Sequence, residues 1–168
     1  GGMKNVDVLV AGGGMVGLTL GLALAQGGLS TLVADALPVP ATLDPKFDGR
    51  VSALAYASVR MLTALGVWPD LAAHAQPIRE ILVTDGQKGK PASPFSLHFD
   101  AAEVGAPQLG AIAENRHIRA ALQSAVQAAA NLELRAPASV KSLASENGSV
   151  TATFADGSQV RAALAVAA

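Results

Sequence analysis

The sequence contains no cysteine, so neither disulfides nor thiolate–metal sites are available to it. Charge is scarce as well: 15% of the 168 residues are charged and the net charge is −1, which leaves no footprint for a nucleic acid. No apolar run reaches the ~18 residues of a membrane span, and the apolar stretch that follows Gly14 is too short to be one. No leader pattern precedes the first strand-like segment, which begins almost at once. The expectation is a soluble, intracellular, cytoplasmic protein. Reactive side chains are few. His74, His98 and His117 are scattered, none at metal-ligand spacing with another histidine or a carboxylate pair, and each reads as a surface or helix-end residue. No serine sits in a G-x-S-x-G elbow, so triad hydrolysis has no support. An enzyme that borrows its chemistry from a cofactor needs few reactive side chains.

What the chain does have is apolar bulk, 51% of it, enough for one sizeable core. That bulk is organised around residues 6–26, VDVLVAGGGMVGLTLGLALAQ. Val6, Val8, Leu9 and Val10 form the short β-branched run of a buried parallel strand. Gly12, Gly14 and Gly17 then fit G-x-G-x-x-G. Gly12 serves the tight turn, Gly14 leaves room for a diphosphate, and Gly17 lets the helix lie close to the sheet. Met15 and Val16 fall at the helix start, where free N–H groups and the positive end of the helix dipole favour an anion. Gly21 and Ala25 continue the small face. Gly27-Gly28 stops the helix, and residues 31–34 form a second strand that ends in Asp35, 23 positions after Gly12. That offset is near the ~20 of the acid that binds a ribose hydroxyl, the other reading being a solvated strand end.

The prolines of residues 37–45 make a loop. Residues 51–57 stand between loop and helix. Ser58 is a candidate N-cap for a helix with Val59, Met61, Leu62 and Leu65 on its apolar face and Gly66 as its stop. Trp68-Pro69 opens a short helical turn, with Trp68 as a core anchor. Residues 78–84 read as a strand, 85–94 as a polar loop, 95–99 as a strand and 109–113 as a third. These interrupt the α/β rhythm and predict a separate sheet inserted into the dinucleotide-binding part. A helix over 116–130 follows, with Asn115 as N-cap and Ile118, Leu122, Ala125, Val126 and Ala129 at helical spacing. Residues 132–134 are a strand that could join the parallel sheet. Residues 140–144, 150–154 and 159–162 make a three-stranded meander turned by Asn147-Gly148 and Asp156-Gly157. It leads into AALAVAA at the end of the chain, a candidate neighbour of the first strand.

The glycine turn, Asp35, the segment DGRVSAL at 48–54, the LGVW helix end at 65–68 and Glu114-Asn115-Arg116 occur together and in order. In this the chain resembles the FAD-dependent hydroxylases of ubiquinone biosynthesis, the 2-polyprenyl-6-methoxyphenol hydroxylase family within the para-hydroxybenzoate hydroxylase-like group A flavin monooxygenases. The resemblance implies an α/β fold: a Rossmann-like FAD-binding domain with a β-meander and part of an inserted substrate-domain sheet. Residues 1–75 and 114–168 would form the FAD-binding part and 76–113 the partial substrate sheet. It implies FAD as cofactor and NAD(P)H as reducing co-substrate, with one atom of dioxygen transferred to a small aromatic substrate, a prenylated phenol. Gly12, Gly14, Met15, Val16 and Gly17 would take the diphosphate and Asp35 the adenosine ribose. Arg50 would approach the ribityl–diphosphate region, its other reading being an ion pair with Asp48. Asn115 would contact the cofactor from the helix start, while Arg116 and Arg119 are expected in solvent. The family's Asp-Gly and Gly-Asp motifs beyond the AALAVAA strand have no counterpart here, so the expectation is an N-terminal piece of a longer enzyme. It also carries an expectation that the AALAVAA edge needs a covering chain. Peripheral attachment to the inner membrane, a multienzyme assembly and a homo-oligomer stay open. So do two other readings, an NAD-dependent dehydrogenase or reductase and a non-catalytic dinucleotide-binding module.

Overall fold

The structure, a computed structural model, describes residues 3–83, 97–100 and 109–168. β1 (Lys4–Ala11) enters the glycine turn, α1 (Met15–Gln26) runs back, and β2 (Thr31–Ala34) pairs with β1 in parallel. The chain continues through α2 (Val39–Thr42), β3 (Val51–Ala55), α3 (Tyr56–Ala64), α4 (Trp68–Ala72), β4 (Ala75–Ile78), β5 (Glu80–Val83), β6 (Leu97–Asp100) and β7 (Gly110–Glu114). It returns by α5 (Asn115–Ala128) to β8 (Leu132–Arg135), and ends with β9 (Val140–Glu146), β10 (Ser149–Phe154) and β11 (Gln159–Ala167).

The main sheet has the order β8-β2-β1-β11-β10-β9. β8, β2, β1 and β11 are mutually parallel, and β10 and β9 extend the sheet antiparallel. The expected meander is present, and its last strand and AALAVAA are one strand. β11 pairs with β10 over residues 159–162 and with β1 over 160–167. Within AALAVAA, residues 162–168, β1 pairs one side as far as Ala167, while β10 reaches only Ala162 on the other, so beyond Ala162 that side has no neighbouring strand among the described residues. Asn147 and Gly148 both hold positive φ, 49° and 79°, as the two-residue hairpin between β9 and β10 requires.

Packing follows the pleat. Val8, Val10 and Val33 join Leu18, Leu22, Leu122 and Val126 of α1 and α5, with Leu62, Val67 and Leu71 beyond them. Leu9, Leu32 and Ala34 belong to a second cluster with Ala152, Phe154 and Val160. Trp68 lies against the first cluster as an anchor, half-buried. Among the described residues no helix is long and apolar enough to cross a membrane.

The connection differs from expectation in several places. Residues 51–55 are strand, and α3 begins with Ala55 as N-cap, so Ser58 lies inside the helix and caps nothing. Met61 points outward, 46% exposed, leaving Val59 and Leu62 to bury the face. The strand expected over 78–84 is two strands divided at Arg79. β3, β7 and β4 form a separate antiparallel sheet, and β5 pairs with β6. The second sheet therefore draws a strand, β3, from ahead of residue 76. The loop expected at 85–94 and the start of the 95–99 strand lie outside the described residues.

One position tests how tightly α1 is seated. A Cβ on Gly17 would lie 1.7 Å from the Gly12 carbonyl oxygen, a backbone atom that cannot step aside. Alanine at a helical position is worth about 1 kcal/mol over glycine, whereas overpacking costs about 1–3 kcal/mol or more. Gly17→Ala is expected to lower stability by chemical denaturation; an unchanged or raised midpoint would show that the turn yields.

Candidate functional site

Ala11 of β1 pairs with Ala34 on one side and Ala167 on the other, so three parallel strands end flush at Gly12. Ligands of open α/β sheets bind at such carboxyl ends. Gly12 takes φ +120°, a conformation closed to ordinary side chains, and its N–H bonds the Ala34 carbonyl at 2.8 Å. Gly14 is exposed, and no atom lies within 4 Å of where its Cβ would stand. The space in front of α1 is open. The helix makes no side-chain cap there and carries no acid in its first turn. Its hydrogen-bond ladder begins with Leu18 N–H on the Gly14 carbonyl, 2.9 Å, so the N–H groups of Met15, Val16 and Gly17 precede the ladder. The result is an uncompensated positive helix end facing open space, suited to a diphosphate.

Gly17 presses α1 onto the turn itself, and Gly21 makes the close helix–sheet contact expected of the small face: its Cβ would stand 2.5 Å from Cγ2 of Val33. Gly13, which the fingerprint leaves as a variable position, seats the acid: a Cβ on it would lie 2.6 Å from Cβ of Asp35 and 2.9 Å from its Oδ2. Asp35 thus stands against the glycine turn at the end of β2. Its backbone is held by the Arg135 carbonyl (3.0 Å) and by Ala138 N–H (2.6 Å). The residue is half-buried, and its Oδ1 accepts from Leu37 N–H at 3.4 Å.

A second group gathers at the start of α5. Only residues 129–131 separate α5 from β8, and Asn131 O accepts from Thr31 N–H beside the start of β2. α5 therefore runs opposite to β8, and its 14 residues, about 21 Å of helix, carry its first turn to the carboxyl edge. There Asp48, with 5% of its side chain exposed, accepts Arg50 Nε at 2.9 Å and Nη2 at 3.0 Å, Asn115 Nδ2 at 2.9 Å and Arg119 Nη1 at 2.9 Å. Ser52 Oγ donates to Asn115 Oδ1.

Three expectations change here. Glu114, not Asn115, holds the N-cap position, and Asn115 is the first helical residue, 3% exposed. Its Nδ2 donates to Asp48 and its Oδ1 accepts from Ser52. Arg119 is not solvated: 13% of its side chain is exposed, and its guanidinium lies 5.1 Å over the Phe47 ring. Arg50 does form the ion pair with Asp48, yet 80% of its side chain remains exposed. Arg116 bonds Glu114 at 2.9 Å. The histidines are less scattered than the sequence suggests: His74 stacks on His117 at 4.1 Å, and His117 Nε2 lies 3.1 Å from Glu114. Among the described residues no three such side chains gather as metal ligands.

Hydrogen bonds from Arg50 first, then Asn115 and Arg119, hold the Asp48 carboxyl far below the usual carboxylate range. A carboxyl depressed by folding contributes stability above its unfolded value of about 3.9, and that contribution is lost as pH falls toward the folded one. Asp48→Asn is expected to be less stable than the parent at pH 7, with the gap narrowing below about pH 4. A gap that stays constant down to acid unfolding would remove Asp48 from the pH dependence.

Comparison with known proteins bears on family and fold. Ubiquinone hydroxylase UbiL of Rhodospirillum rubrum is 41% identical over 165 residues, spanning 98% of this chain and 37% of that protein. The 3-demethoxyubiquinol 3-hydroxylase of Escherichia coli is 34% identical over 167 residues, spanning 98% of this chain and 41% of that protein. The chain thus covers about two fifths of these curated relatives. The crystal structure of p-nitrophenol 4-monooxygenase PnpA from Pseudomonas putida DLL-E4 shares the fold, with a TM-score of 0.73 and 20% identity across 98% of this chain and 41% of that one. The family model described as FAD binding domain matches residues 5–168. The chain belongs to the FAD-binding domain family.

Proposed function

We propose that this chain is the cofactor-binding part of an FAD-dependent aromatic hydroxylase that uses NAD(P)H and dioxygen and acts on a prenylated phenol of ubiquinone biosynthesis. One observation carries the reading. In a chain of this family, the uncapped start of α1 faces open space at Gly14, and Asp35 stands one glycine away. The residues present fit the cofactor: donors for a diphosphate, an acceptor for a ribose, and no acid in the first helical turn to oppose the phosphates.

In this reading the N–H groups of Met15, Val16 and Gly17 donate to the diphosphate, and Gly12 and Gly14 let it approach the backbone. Asp35 accepts from the adenosine ribose. Arg50 adds a fixed cation whose planar fork matches phosphate oxygens. Asn115 serves by bracing Asp48 and β3. When bound, FAD supplies hydride acceptance from NAD(P)H and oxygen activation for ring hydroxylation. Residues 1–75 and 114–168 are taken as the FAD-binding part. Residues 76–113, together with β3, are taken as the beginning of a substrate wall. The names of the two curated relatives support the substrate class. A prenyl tail partitions into lipid, so the reading takes the enzyme as peripheral to the inner membrane on its cytoplasmic side. The dehydrogenase and non-catalytic alternatives have no observation of their own in their favour.

The full-length protein is expected to purify with flavin absorption bands and to consume NAD(P)H in step with hydroxylated phenol. A colourless protein that binds NAD instead would overturn the reading. Gly14→Val is expected to lose FAD while keeping its fold, because φ of −74° and the empty surroundings admit the side chain and only an incoming ligand meets it. Flavin retained at full stoichiometry in that variant would refute the diphosphate site. Asp35→Ala is expected to weaken FAD by about 1–3 kcal/mol, the loss of one hydrogen bond to a charged acceptor. Titration of the apoprotein would check this, and an unchanged dissociation constant would leave Asp35 a solvated strand end.

A further inference from the structure

Asp48 accepts five donor atoms: N, Nε and Nη2 of Arg50, Nδ2 of Asn115 and Nη1 of Arg119. A carboxylate offers about four lone-pair sites. Asp48 therefore has no acceptor capacity left for a ligand, and with 5% of its side chain exposed it has no access to one. Whatever it contributes to binding passes through its partners. Of these, Arg119 is enclosed and Asn115 is buried, whereas Arg50 is 80% exposed at the side chain.

The geometry at Arg50 is that of a guanidinium gripped by one edge. Nε and one Nη2 hydrogen face the two oxygens of Asp48, and the backbone N–H of Arg50 is tied to the same carboxylate at 3.0 Å. Among the described residues nothing bonds the Nη1 hydrogens on the opposite edge, which stands available to solvent or a ligand. The grip is braced on two further elements. Asn115 N–H bonds the Arg50 carbonyl at 3.0 Å, and the Asn115 side chain ties Asp48 to Ser52 of β3. Two guanidiniums around one carboxylate leave the cluster with a positive excess.

We propose that Asp48 is a positioning residue for the cofactor: it holds Arg50 in a single orientation and presents the free edge of its guanidinium to a diphosphate group. The inference rests on the FAD reading above and adds to it the residue that fixes the cation. An arginine on a flexible stem loses rotamer freedom when it closes on a phosphate. Arg50 has already lost it in the fold, so the affinity gained is that of preorganisation.

The test is a set of variants in the full-length protein, each titrated as apoprotein with FAD and melted without it. Asp48→Asn is expected to weaken FAD about tenfold, the cost of immobilising one long side chain at binding. Arg50→Ala is expected to weaken it about tenfold to a hundredfold. The double variant is expected to match Arg50→Ala alone, since with the guanidinium gone there is nothing left for Asp48 to orient. Asp48→Glu keeps the charge of the buried cluster and serves should Asp48→Asn fail to fold. It moves the carboxylate by one methylene and is expected to weaken FAD in the parent and not in the Arg50→Ala background. An Asp48 variant that lowers only the melting midpoint, or that weakens FAD equally in both backgrounds, would overturn the positioning role. So would wild-type affinity in Arg50→Ala, and in that case bound flavin would leave the FAD reading standing. A wild-type protein that takes up no FAD would overturn both.

Discussion

The fold depends on how close two backbones come at one point, where the start of α1 rests on the Gly12 carbonyl with no room for a methyl group at Gly17. The placing of the glycine turn at the carboxyl edge follows from that contact. It turns the chain back directly after β1, so α1 starts at the level where β2, β1 and β11 end. It also aims the start of the helix across the strand ends, with Gly14 in front and Asp35 beside it. A longer turn would leave room for side chains but would move the helix dipole away from the acid, and a diphosphate and its ribose could no longer be held together.

Much of this edge is legible in the sequence because its constraints are local. A β-branched run, three spaced glycines, an apolar helix and an acid 23 positions on all act within 30 residues, and the strand-turn-helix-strand order leaves little choice of geometry. The meander was legible for the same reason: Asn147-Gly148 and Asp156-Gly157 set their turns through their own backbones. What the fingerprint does not distinguish is which glycine meets what. Gly13 and Gly21 lie on either side of the motif positions, and their contacts, Asp35 and Val33, come from a strand that pattern alone cannot place to within an ångström.

The start of α5 was much less legible, and for the opposite reason. Asp48, Arg50, Asn115 and Arg119 are drawn from segments up to 71 positions apart. Each alone has a bland reading: a loop acid, a surface arginine, a helix cap, a solvated cation. Asn115 matches a capping residue in kind, but capping needs the residue outside the helix, and β7 runs one residue further to Glu114 before α5 begins. Ser58 fails as a cap in the same way, because β3 runs straight into α3. In both cases the helix takes up at the residue after the paired strand ends, so the polar residue lies inside it.

β3 leaves the segment that carries Asp48 and Arg50, and β7 leads directly into Asn115, so the antiparallel pair Val51–Glu114 sits immediately beside the buried carboxylate. The second sheet and the charged cluster are therefore one mechanical unit. A shift of β3 along β7 by a single residue would turn Ser52 away from Asn115 and free one end of the amide that braces Asp48. The register of the small sheet and the orientation of Arg50 at the carboxyl edge are set together, which ties the geometry of the cofactor side to the sheet that continues toward residues 76–113.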